Sequence, residues 1–206
     1  MTYLPRARAR AVRSDGARTR AEILRTAARL ASVRGLHHVS IGELADEIGM
    51  SKSGLYAHFG SKEELQLAAI EAAEAIYARE VTARTDGVAP GLGALIAFLD
   101  AHLDHLRRRV FPGGCFFDAA AADLQGTQGP VRERIAVFQA RWTERLREHL
   151  RTAQAMGALP SDEDVDQVAF DLTASMLLAH SLLSFTGDEA ALDRAARSVR
   201  LRLGVG

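Results

Sequence analysis

The sequence predicts an all-α fold, and three observations support this prediction. Apolar residues recur every three to four positions through almost the whole chain, which is the spacing of one helix face. No stretch alternates convincingly between apolar and polar residues, as a half-buried strand would. Proline breaks helix interiors, and all five prolines lie outside the strongly periodic segments; they are Pro5, Pro90, Pro112, Pro130 and Pro160.

Helix-start signals divide the N-terminal third of the chain into four helices. A serine or threonine three residues before a glutamate can form a capping box, in which each side chain bonds to the other residue's backbone N–H. This spacing occurs at Thr19, Ser40 and Ser61, and Ser51 offers a further N-cap. The predicted helices span about 19–34, 41–48, 52–58 and 61–84, with Gly35 and Gly49 as the breaks after the first two.

The rest of the chain predicts a second helical unit of five helices. Their apolar residues stay in register over long segments, and turn sequences such as FPGG and GTQGP separate them. Ser161 is the predicted N-cap of the fourth helix of this unit. The predicted ranges are about 92–110, 115–124, 131–150, 162–185 and 189–203.

Charge is distributed unevenly along a chain that is neutral overall. The 206 residues carry 26 Lys and Arg against 26 Asp and Glu. Residues 1–62 hold 11 basic and 5 acidic side chains, a net charge of +6, so the remainder carries −6. A basic head on an acidic body predicts that the N-terminal end meets a polyanion.

Cysteine content and hydropathy predict a cytoplasmic protein without a membrane partner. Cys115 is the single cysteine, which excludes a disulfide framework within the chain. The N-terminal segment is basic but lacks the apolar core of a signal peptide. The longest apolar run near the C-terminus, residues 176–185, is shorter than the roughly 20 residues that span a bilayer.

Two short helices around a tight glycine turn, braced by longer helices, predict a helix-turn-helix unit. In the second short helix Leu55 and Phe59 take the inward positions. This leaves lysine, serine, glycine, tyrosine and histidine on the outward side. Such residues suit close approach to a DNA groove and hydrogen bonds to phosphates. The outward set is Lys52, Ser53, Gly54, Tyr56 and His58.

The segment from TRAEIL to SIGELADEIGMSKSGLYAHFGSKEEL resembles the DNA-binding domain of the tetracycline-repressor (TetR) family. The resemblance covers about residues 19–67, a quarter of the chain, and its string L-Y-x-H-F-x-S-K-E-x-L is highly specific. It implies an all-helical dimer with an N-terminal three-helix helix-turn-helix domain and a C-terminal helical domain that binds a small molecule and dimerises. The chain accordingly divides into a basic arm (1–18), a DNA-binding domain (19–66) and a ligand-binding and dimerisation domain (67–206).

The resemblance also implies roles for individual residues. By this resemblance, phosphate is contacted by Tyr56, His58 and Lys62. The end of the helix that reads bases carries Lys52, Ser53 and Gly54. One position departs from the family, because Gly42 stands where threonine is usual and often contacts phosphate; Ser40 could take over that contact. The predicted DNA-binding residues are Ser40, Ser51, Lys52, Ser53, Gly54, Tyr56, His58 and Lys62. Two interpretations of the arginines of the arm stay open: contacts in the adjacent minor groove and a disordered solubilising tail.

Large apolar and aromatic side chains of the second unit predict an effector pocket. They lie on the helices that surround the pocket in the TetR family, and a mostly apolar pocket with a few polar groups is the usual small-molecule site. The predicted ligand-binding residues are Phe98, His102, Phe116, Phe117, Phe138, Trp142, Met176 and His180. No cofactor or metal is predicted. Two alternatives stay open at this point: a metal held by His102, His105 and His180, and a thiol sensor at Cys115, which also fits a buried structural role.

The sequence thus predicts a ligand-responsive DNA-binding regulator, a repressor released from a palindromic operator by a small apolar or aromatic effector. A homodimer is predicted through helices 162–185 and 189–203, because residues 176–185 are apolar nearly all round the helix. No phosphate-cradling loop, nucleophile–base pair or metal-ligand motif predicts an enzyme. The alternatives are an effector-independent architectural DNA-binding protein and a metal- or thiol-responsive repressor.

Overall fold

The computed structural model describes the backbone of residues 6–205 and the side chains of residues 16–205. This part of the chain is helical and contains no strand, which confirms the predicted fold class. The helices are α1 (Arg6–Arg34), α2 (Ile41–Ile48), α3 (Lys52–Phe59), α4 (Lys62–Glu80), α5 (Leu92–Arg107), α6 (Phe116–Asp123), α7 (Pro130–Ala155), α8 (Val165–Thr186) and α9 (Ala190–Arg202), with a 3-10 turn (Thr82–Thr85) after α4.

The first helix begins well before its predicted start. It runs from Arg6, so Thr19 lies inside the helix and the predicted capping box with Glu22 is wrong. Residues 6–18 are rich in arginine and alanine, which have high helix propensity, and contain no proline to stop the helix. The groove contacts predicted for Arg6, Arg8, Arg10 and Arg13 involve side chains that lie outside the described residues.

Two of the predicted caps of the short helices are confirmed. The Glu43 backbone N–H donates to Ser40 Oγ at 3.1 Å, and the Ser40 N–H donates to the Glu43 carboxylate at 3.3 Å, which completes a capping box. Ser51 Oγ accepts from the Gly54 N–H at 3.1 Å and so caps α3. Both short helices therefore begin where the sequence predicts.

Two other caps differ from the prediction. Ser61 Oγ accepts from the Glu64 N–H at 3.1 Å, but the Ser61 N–H donates to the Phe59 carbonyl at 2.6 Å, so only half of the third box forms. Helix α8 begins at Val165 instead of Asp162, because Asp164 and not Ser161 accepts from the first backbone N–H groups. Aspartate also favours the positive end of the helix dipole.

The buried side chains form two cores that meet along α4. The N-terminal core unites α1, α2 and α3 with the first half of α4, and the larger core of the body unites α4 to α9 with the C-terminal end of α1. Leu65 and Ala69 of α4 belong to the first core, whereas Ala73 and Tyr77 belong to the second. Helix α4 therefore links the two units. The predicted boundary at residue 66 stays a prediction.

The two ends of α6 are joined to α1 and to the loop that follows it. Before α6, the Gly113 N–H donates to Ser32 Oγ at 3.2 Å. At the end of α6, the Asp123 carboxylate accepts from the His37 N–H at 2.6 Å and lies 3.2 Å from His38 Nδ1. Helix α6 thus forms a second connection between the body and the segment that carries α2 and α3.

Helix α8 is, by length and composition alone, long enough and apolar enough to cross a membrane. This differs from the prediction, which rested on the run 176–185 and not on all 22 residues of the helix. One side of α8 packs into the body core, with Leu172, Met176 and Leu183 buried. The core helix of a soluble protein passes the same test, so the finding is weak evidence for a membrane.

Candidate functional site

Helices α2 and α3 form a helix-turn-helix with one side packed and the other exposed. Gly49 ends α2 at a φ of 68°, a left-handed conformation that suits glycine. Leu55 and Phe59 are buried in the N-terminal core. On the opposite side lie Lys52, Ser53 and Tyr56, which we call the reading face; the tyrosine is 53% exposed. This side holds the groups that the sequence predicts to meet DNA.

Gly42, which stands where the TetR family usually has threonine, leaves space that the side chain of Lys52 occupies. A Cβ built on Gly42 would lie 3.3 Å from Cε and 3.4 Å from Nζ of Lys52, and 3.8 Å from Ser40 Oγ. The ammonium of Lys52 therefore folds back over the N-terminal turn of α2, beside Ser40. An ammonium, a hydroxyl and a helix N-terminus are all groups that can bind a phosphate.

An arginine of α1 supports the C-terminal end of α3. Arg20 Nη1 donates to the His58 carbonyl at 2.8 Å, and its guanidinium lies 4.4 Å from the ring centroid of Phe59. His58 itself is only half-buried. Arg20 was not among the predicted site residues, because it lies on a different helix and no local spacing connects it with α3.

Lys62 joins the start of α4 to the α1–α2 loop. Its Nζ donates to the His37 carbonyl at 2.5 Å, while the side chain stays exposed. The nearby Gln66 is buried and donates to the Leu36 carbonyl at 2.8 Å. These two bonds hold the loop before α2 against α4, with the lysine charge still available at the surface.

A central cavity of about 280 Å³ lies in the body between α4, α5, α6, α7 and α8. Of the predicted ligand-binding residues, His102, Phe138, Trp142 and Met176 line it. The other seven lining residues were not among the predicted ligand-binding residues, because helical periodicity does not show which positions of facing helices meet at a cavity. The complete wall is Tyr77, His102, Cys115, Asp118, Phe138, Gln139, Trp142, Thr143, Thr173, Met176 and Leu177.

The other four predicted ligand-binding residues do not line the central cavity. Phe116 and Phe117 are buried in the body core, and Phe117 stacks on Phe138 with 3.3 Å between ring centroids. Phe98 lies in the wall of a neighbouring groove that shares Trp142 with the cavity. His180 is buried behind Asp118, 3.5 Å from its carboxylate. Helical periodicity places these residues inward but does not separate core from cavity wall.

A chain of hydrogen bonds runs along one wall of the cavity. Trp142 Nε1–H donates to the Tyr77 hydroxyl at 3.0 Å, and that hydroxyl lies 3.0 Å from His102 Nδ1. Burial lowers the pKa of His102 to about 3, with His105 and His180 adding to the shift, and burial raises the pKa of Tyr77. All three side chains are therefore uncharged at neutral pH.

A second polar group lies at the α6 side of the cavity. His180 Nε2 lies 3.2 Å from the Gly113 carbonyl, which also accepts from Ser184 Oγ at 2.9 Å. Burial raises the pKa of Asp118 and that of the Cys115 thiol. A raised pKa disfavours the reactive thiolate, so the geometry gives no support to the thiol-sensor alternative. In the described part of the chain no three His, Cys, Asp or Glu side chains group as metal ligands.

We expect the two buried histidines of α5 to make the protein less stable in mild acid. Burial lowers the pKa of His105 to about 4, and both its ring nitrogens lack a partner among the described residues. The unfolded chain gains a proton on each histidine near pH 6.5, whereas the folded protein stays neutral until about pH 4. The contribution of these neutral histidines to the free energy of unfolding is therefore complete above pH 6.5. It is lost as the pH falls, by roughly 2 kcal/mol per histidine at pH 5.

Urea unfolding of the wild type and of His105→Leu at pH 7 and pH 5 measures this effect. The difference in unfolding free energy between the two pH values should be about 2 kcal/mol smaller for the variant. Carboxylates such as Glu80 and Asp104, whose pKa values arginine partners lower, lose their contribution only at lower pH. Equal pH dependence of the two proteins would show that His105 does not titrate as described.

Two family models match the chain, one for each unit. The model described as "Bacterial regulatory proteins, tetR family" matches residues 23–69. The model described as "Tetracyclin repressor-like, C-terminal domain" matches residues 91–199. The first match contains α2, α3 and Lys62, and the second contains most of the central cavity wall.

Individual relatives are transcriptional regulators. The transcriptional regulator AcuR of Cereibacter sphaeroides is 27% identical over 137 residues, which are 66% of this chain and 63% of that protein. A TetR transcriptional regulator from Chloroflexus aurantiacus J-10-FL is 28% identical with a TM-score of 0.85, over 93% of this chain and 96% of that one. AibR, solved with isovaleryl coenzyme A and operator DNA, shares the fold at 24% identity and a TM-score of 0.68, over 86% and 96% of the two chains.

Proposed function

Because this chain belongs to the TetR family of bacterial transcriptional regulators, we propose that it is a homodimeric repressor released from a palindromic operator by a small effector. The observation that carries the proposal is the double connection between the central cavity and the helix-turn-helix. Tyr77 of α4 and Asp118 of α6 line the cavity. The same two helices hold α1 and the loop before α2.

The reading face supports contact with duplex DNA. Ser53 and Tyr56 project from α3 on the side away from the core, and the small Gly54 allows a close approach to base edges. Lys62 offers its charge beside the first turn of α4, where backbone N–H groups also favour an anion. Lys52 lies over Gly42 beside Ser40, so it offers a phosphate contact where the family's threonine is missing.

The proposed dimer interface is formed by α8 and α9, and its centre is an apolar strip on α8. Away from the body core and from the central cavity, α8 exposes four apolar residues, which we call the α8 apolar face; they are Phe170, Ala174, Leu178 and Phe185. Phe185 is 92% exposed. A surface helix of a monomer normally keeps such a side polar. A second copy packed across a two-fold axis would bury the strip and form a four-helix interface. The same packing would cover the exposed apolar surface that makes α8 resemble a membrane-spanning helix.

The effector acts, in this proposal, by moving α4 and α6 together. A ligand in the central cavity touches both helices. The turn before α6 is bonded through Gly113 to Ser32 of α1, and the end of α6 is bonded through Asp123 to the loop between α1 and α2. A shift of α6 therefore changes the direction in which α1 and the reading face point. The ligand releases DNA only if it prefers the arrangement in which the two reading faces of the dimer misfit the operator.

Selection of bound duplexes from a random-sequence library, followed by affinity measurements, tests the DNA-binding part of the proposal. The selected site should be a palindrome with half-sites about 34–36 Å apart or a multiple of this distance. Lys62→Gln keeps a donor for the His37 carbonyl but removes the charge. This variant should weaken all sequences about equally and lower the salt slope by roughly one unit per subunit.

Substitutions on the reading face provide the contrast. Ser53→Ala should change the preference at one base position while leaving the salt slope nearly intact, because a hydroxyl that reads a base edge carries no charge. A library that yields no enriched sequence would favour the architectural DNA-binding alternative. A change of sequence preference in Lys62→Gln with an unchanged salt slope would contradict the role given to Lys62.

A further inference from the structure

We propose that His102 presents an Nε2–H donor to the effector, so that the effector is an uncharged molecule with a carbonyl-type hydrogen-bond acceptor on an apolar or aromatic body. This inference rests on the proposed function of the central cavity as the effector site. Its starting point is the hydrogen-bond chain from Trp142 through Tyr77 to His102.

The direction of the first bond in this chain is fixed by chemistry. An indole N–H can only donate, so the Tyr77 hydroxyl oxygen accepts from Trp142. The hydroxyl then still has one hydrogen of its own. His102 Nδ1, at 3.0 Å, is the remaining polar atom bonded to that oxygen.

The second bond has two possible directions, and they leave different numbers of groups unpaired. If Nδ1–H donated to Tyr77, the Tyr77 hydrogen would lack an acceptor and Nε2 would be an unpaired acceptor. If Tyr77 O–H donates to Nδ1 instead, both of these atoms are satisfied. The proton of the neutral imidazole then lies on Nε2, and one N–H is the single group left unpaired. Buried polar groups strongly favour being paired, so the second arrangement holds.

The remaining Nε2–H has no partner among the described residues. His102 is 3% exposed and lines the central cavity, and its Nε2 is itself buried and makes no hydrogen bond, so an effector reaches this atom by displacing a neighbouring side chain. The neighbouring His105 does not satisfy it, since the two ring centroids are 6.5 Å apart and both His105 nitrogens are also unpaired. An effector atom that accepts a hydrogen bond would supply the missing partner of His102.

The charge of the cavity wall selects among acceptors. None of its eleven lining residues is lysine or arginine, and Asp118 contributes a carboxyl group. His102 itself is neutral, because its burial disfavours the imidazolium. A carboxylate ligand would therefore be desolvated without a cation and beside an acidic group, which is unfavourable. An amide, ketone or ester carbonyl accepts the same bond without that cost, and Phe138, Trp142 and Met176 cover its apolar part.

The tautomer is tested directly, without any ligand, by ¹⁵N NMR of histidine-labelled full-length protein. His102→Gln identifies the His102 signals by their loss. The expected spectrum shows a protonated Nε2 and an unprotonated Nδ1 that accepts a hydrogen bond. Tyr77→Phe should remove the hydrogen-bond shift of Nδ1 while leaving the other histidine signals in place. A protonated Nδ1 in the wild type would overturn the proposal.

The ligand class is tested with benzamide, benzoate and toluene as probes, through the fluorescence of Trp142, the chain's one tryptophan. Benzamide should bind at least about tenfold more tightly than benzoate, because the carboxylate of benzoate would lose its hydration in a cavity wall that holds no lysine or arginine. His102→Phe should weaken benzamide about tenfold and leave toluene within about twofold. His102→Gln keeps a side-chain donor and should retain more benzamide affinity than His102→Phe.

The outcomes separate this inference from the proposed function. Two results would overturn the donor role but leave the effector cavity in place. In the first, toluene binds and benzoate is the tightest of the three probes. In the second, His102→Phe does not change the affinity for benzamide. Failure of all three probes to change the Trp142 signal would contradict both the donor role and the cavity as an apolar effector site.

Discussion

Replacing Gly113 by alanine is expected to destabilise the protein by about 3 kcal/mol or more, a fall in melting temperature of roughly 6–12 °C for a chain of this size. A Cβ on Gly113 would fall within the van der Waals radius of the Ser32 carbonyl oxygen and 3.0 Å from the Val33 backbone nitrogen. These are backbone atoms of α1, so no side-chain rotation relieves the clash. Either α1 moves away from the start of α6, or the turn before α6 deforms.

Such a movement would also break the bonds that meet at Gly113. Its N–H donates to Ser32 Oγ, and its carbonyl accepts from Ser184 Oγ and lies beside His180 Nε2. The change therefore loosens the connection between α1 and the body as well as costing packing energy. In the proposed function, operator affinity should fall with stability, because the reading faces lose their fixed spacing.

Gly93→Ala is the matched control for Gly113→Ala. Gly93 is exposed in the first turn of α5, and a Cβ there would meet nothing within 4 Å. Alanine in a helix is favoured over glycine by about 0.5–1 kcal/mol, so this control should melt at the same temperature or slightly higher. Differential scanning calorimetry of both variants makes the comparison. Equal melting temperatures would show that the close approach of Gly113 to α1 does not exist.

A glutamate in place of Leu178 is expected to weaken the dimer at least about 100-fold. Leu178 lies in the middle of the α8 apolar face and is 60% exposed. A symmetric interface would bury it twice, so the substitution removes roughly 1–2 kcal/mol of burial from each subunit and adds two charges with no assigned partner. A loss of about 3 kcal/mol corresponds to the 100-fold change. Operator affinity should fall as well, because a monomer engages only one half-site.

Analytical ultracentrifugation of Leu178→Glu measures the association constant. Val88→Glu is the control, because Val88 is also an exposed apolar residue, 41% accessible, but lies in the loop before α5. The control should dimerise like the wild type, and both variants should keep the helical circular dichroism of the folded protein. A wild type that sediments as a monomer at micromolar concentration would contradict the dimer proposal outright.

The N-terminal unit could be predicted closely because its signals are local. Ser40 with Glu43, and Ser51, lie within four residues of the backbone groups that they cap, so the sequence places these helix starts correctly. The first helix shows the limit of this reasoning. Thr19 carries the same local pattern as Ser40, but the favourable arginine and alanine residues before it extend α1 through the pattern.

The central cavity could be predicted only in part, because it depends on how five helices meet. Periodicity identifies inward positions, which is why Phe117 and Phe138 look alike in the sequence. In the structure Phe138 lines the cavity and Phe117 is buried behind it. The hydrogen bonds of Tyr77 to Trp142 and His102 join residues that are 65 and 25 positions apart, and no local pattern marks them.

The most direct test of the account measures the affinity of an effector, found by saturable change of Trp142 fluorescence, with and without saturating operator DNA. The central cavity and the reading face are coupled through α4 and α6, and thermodynamic linkage makes such a coupling reciprocal. Operator should weaken effector binding by about 5- to 150-fold, and effector should weaken operator binding by the same factor. Identical effector affinity in the presence and absence of operator would contradict the claim that the central cavity controls DNA binding.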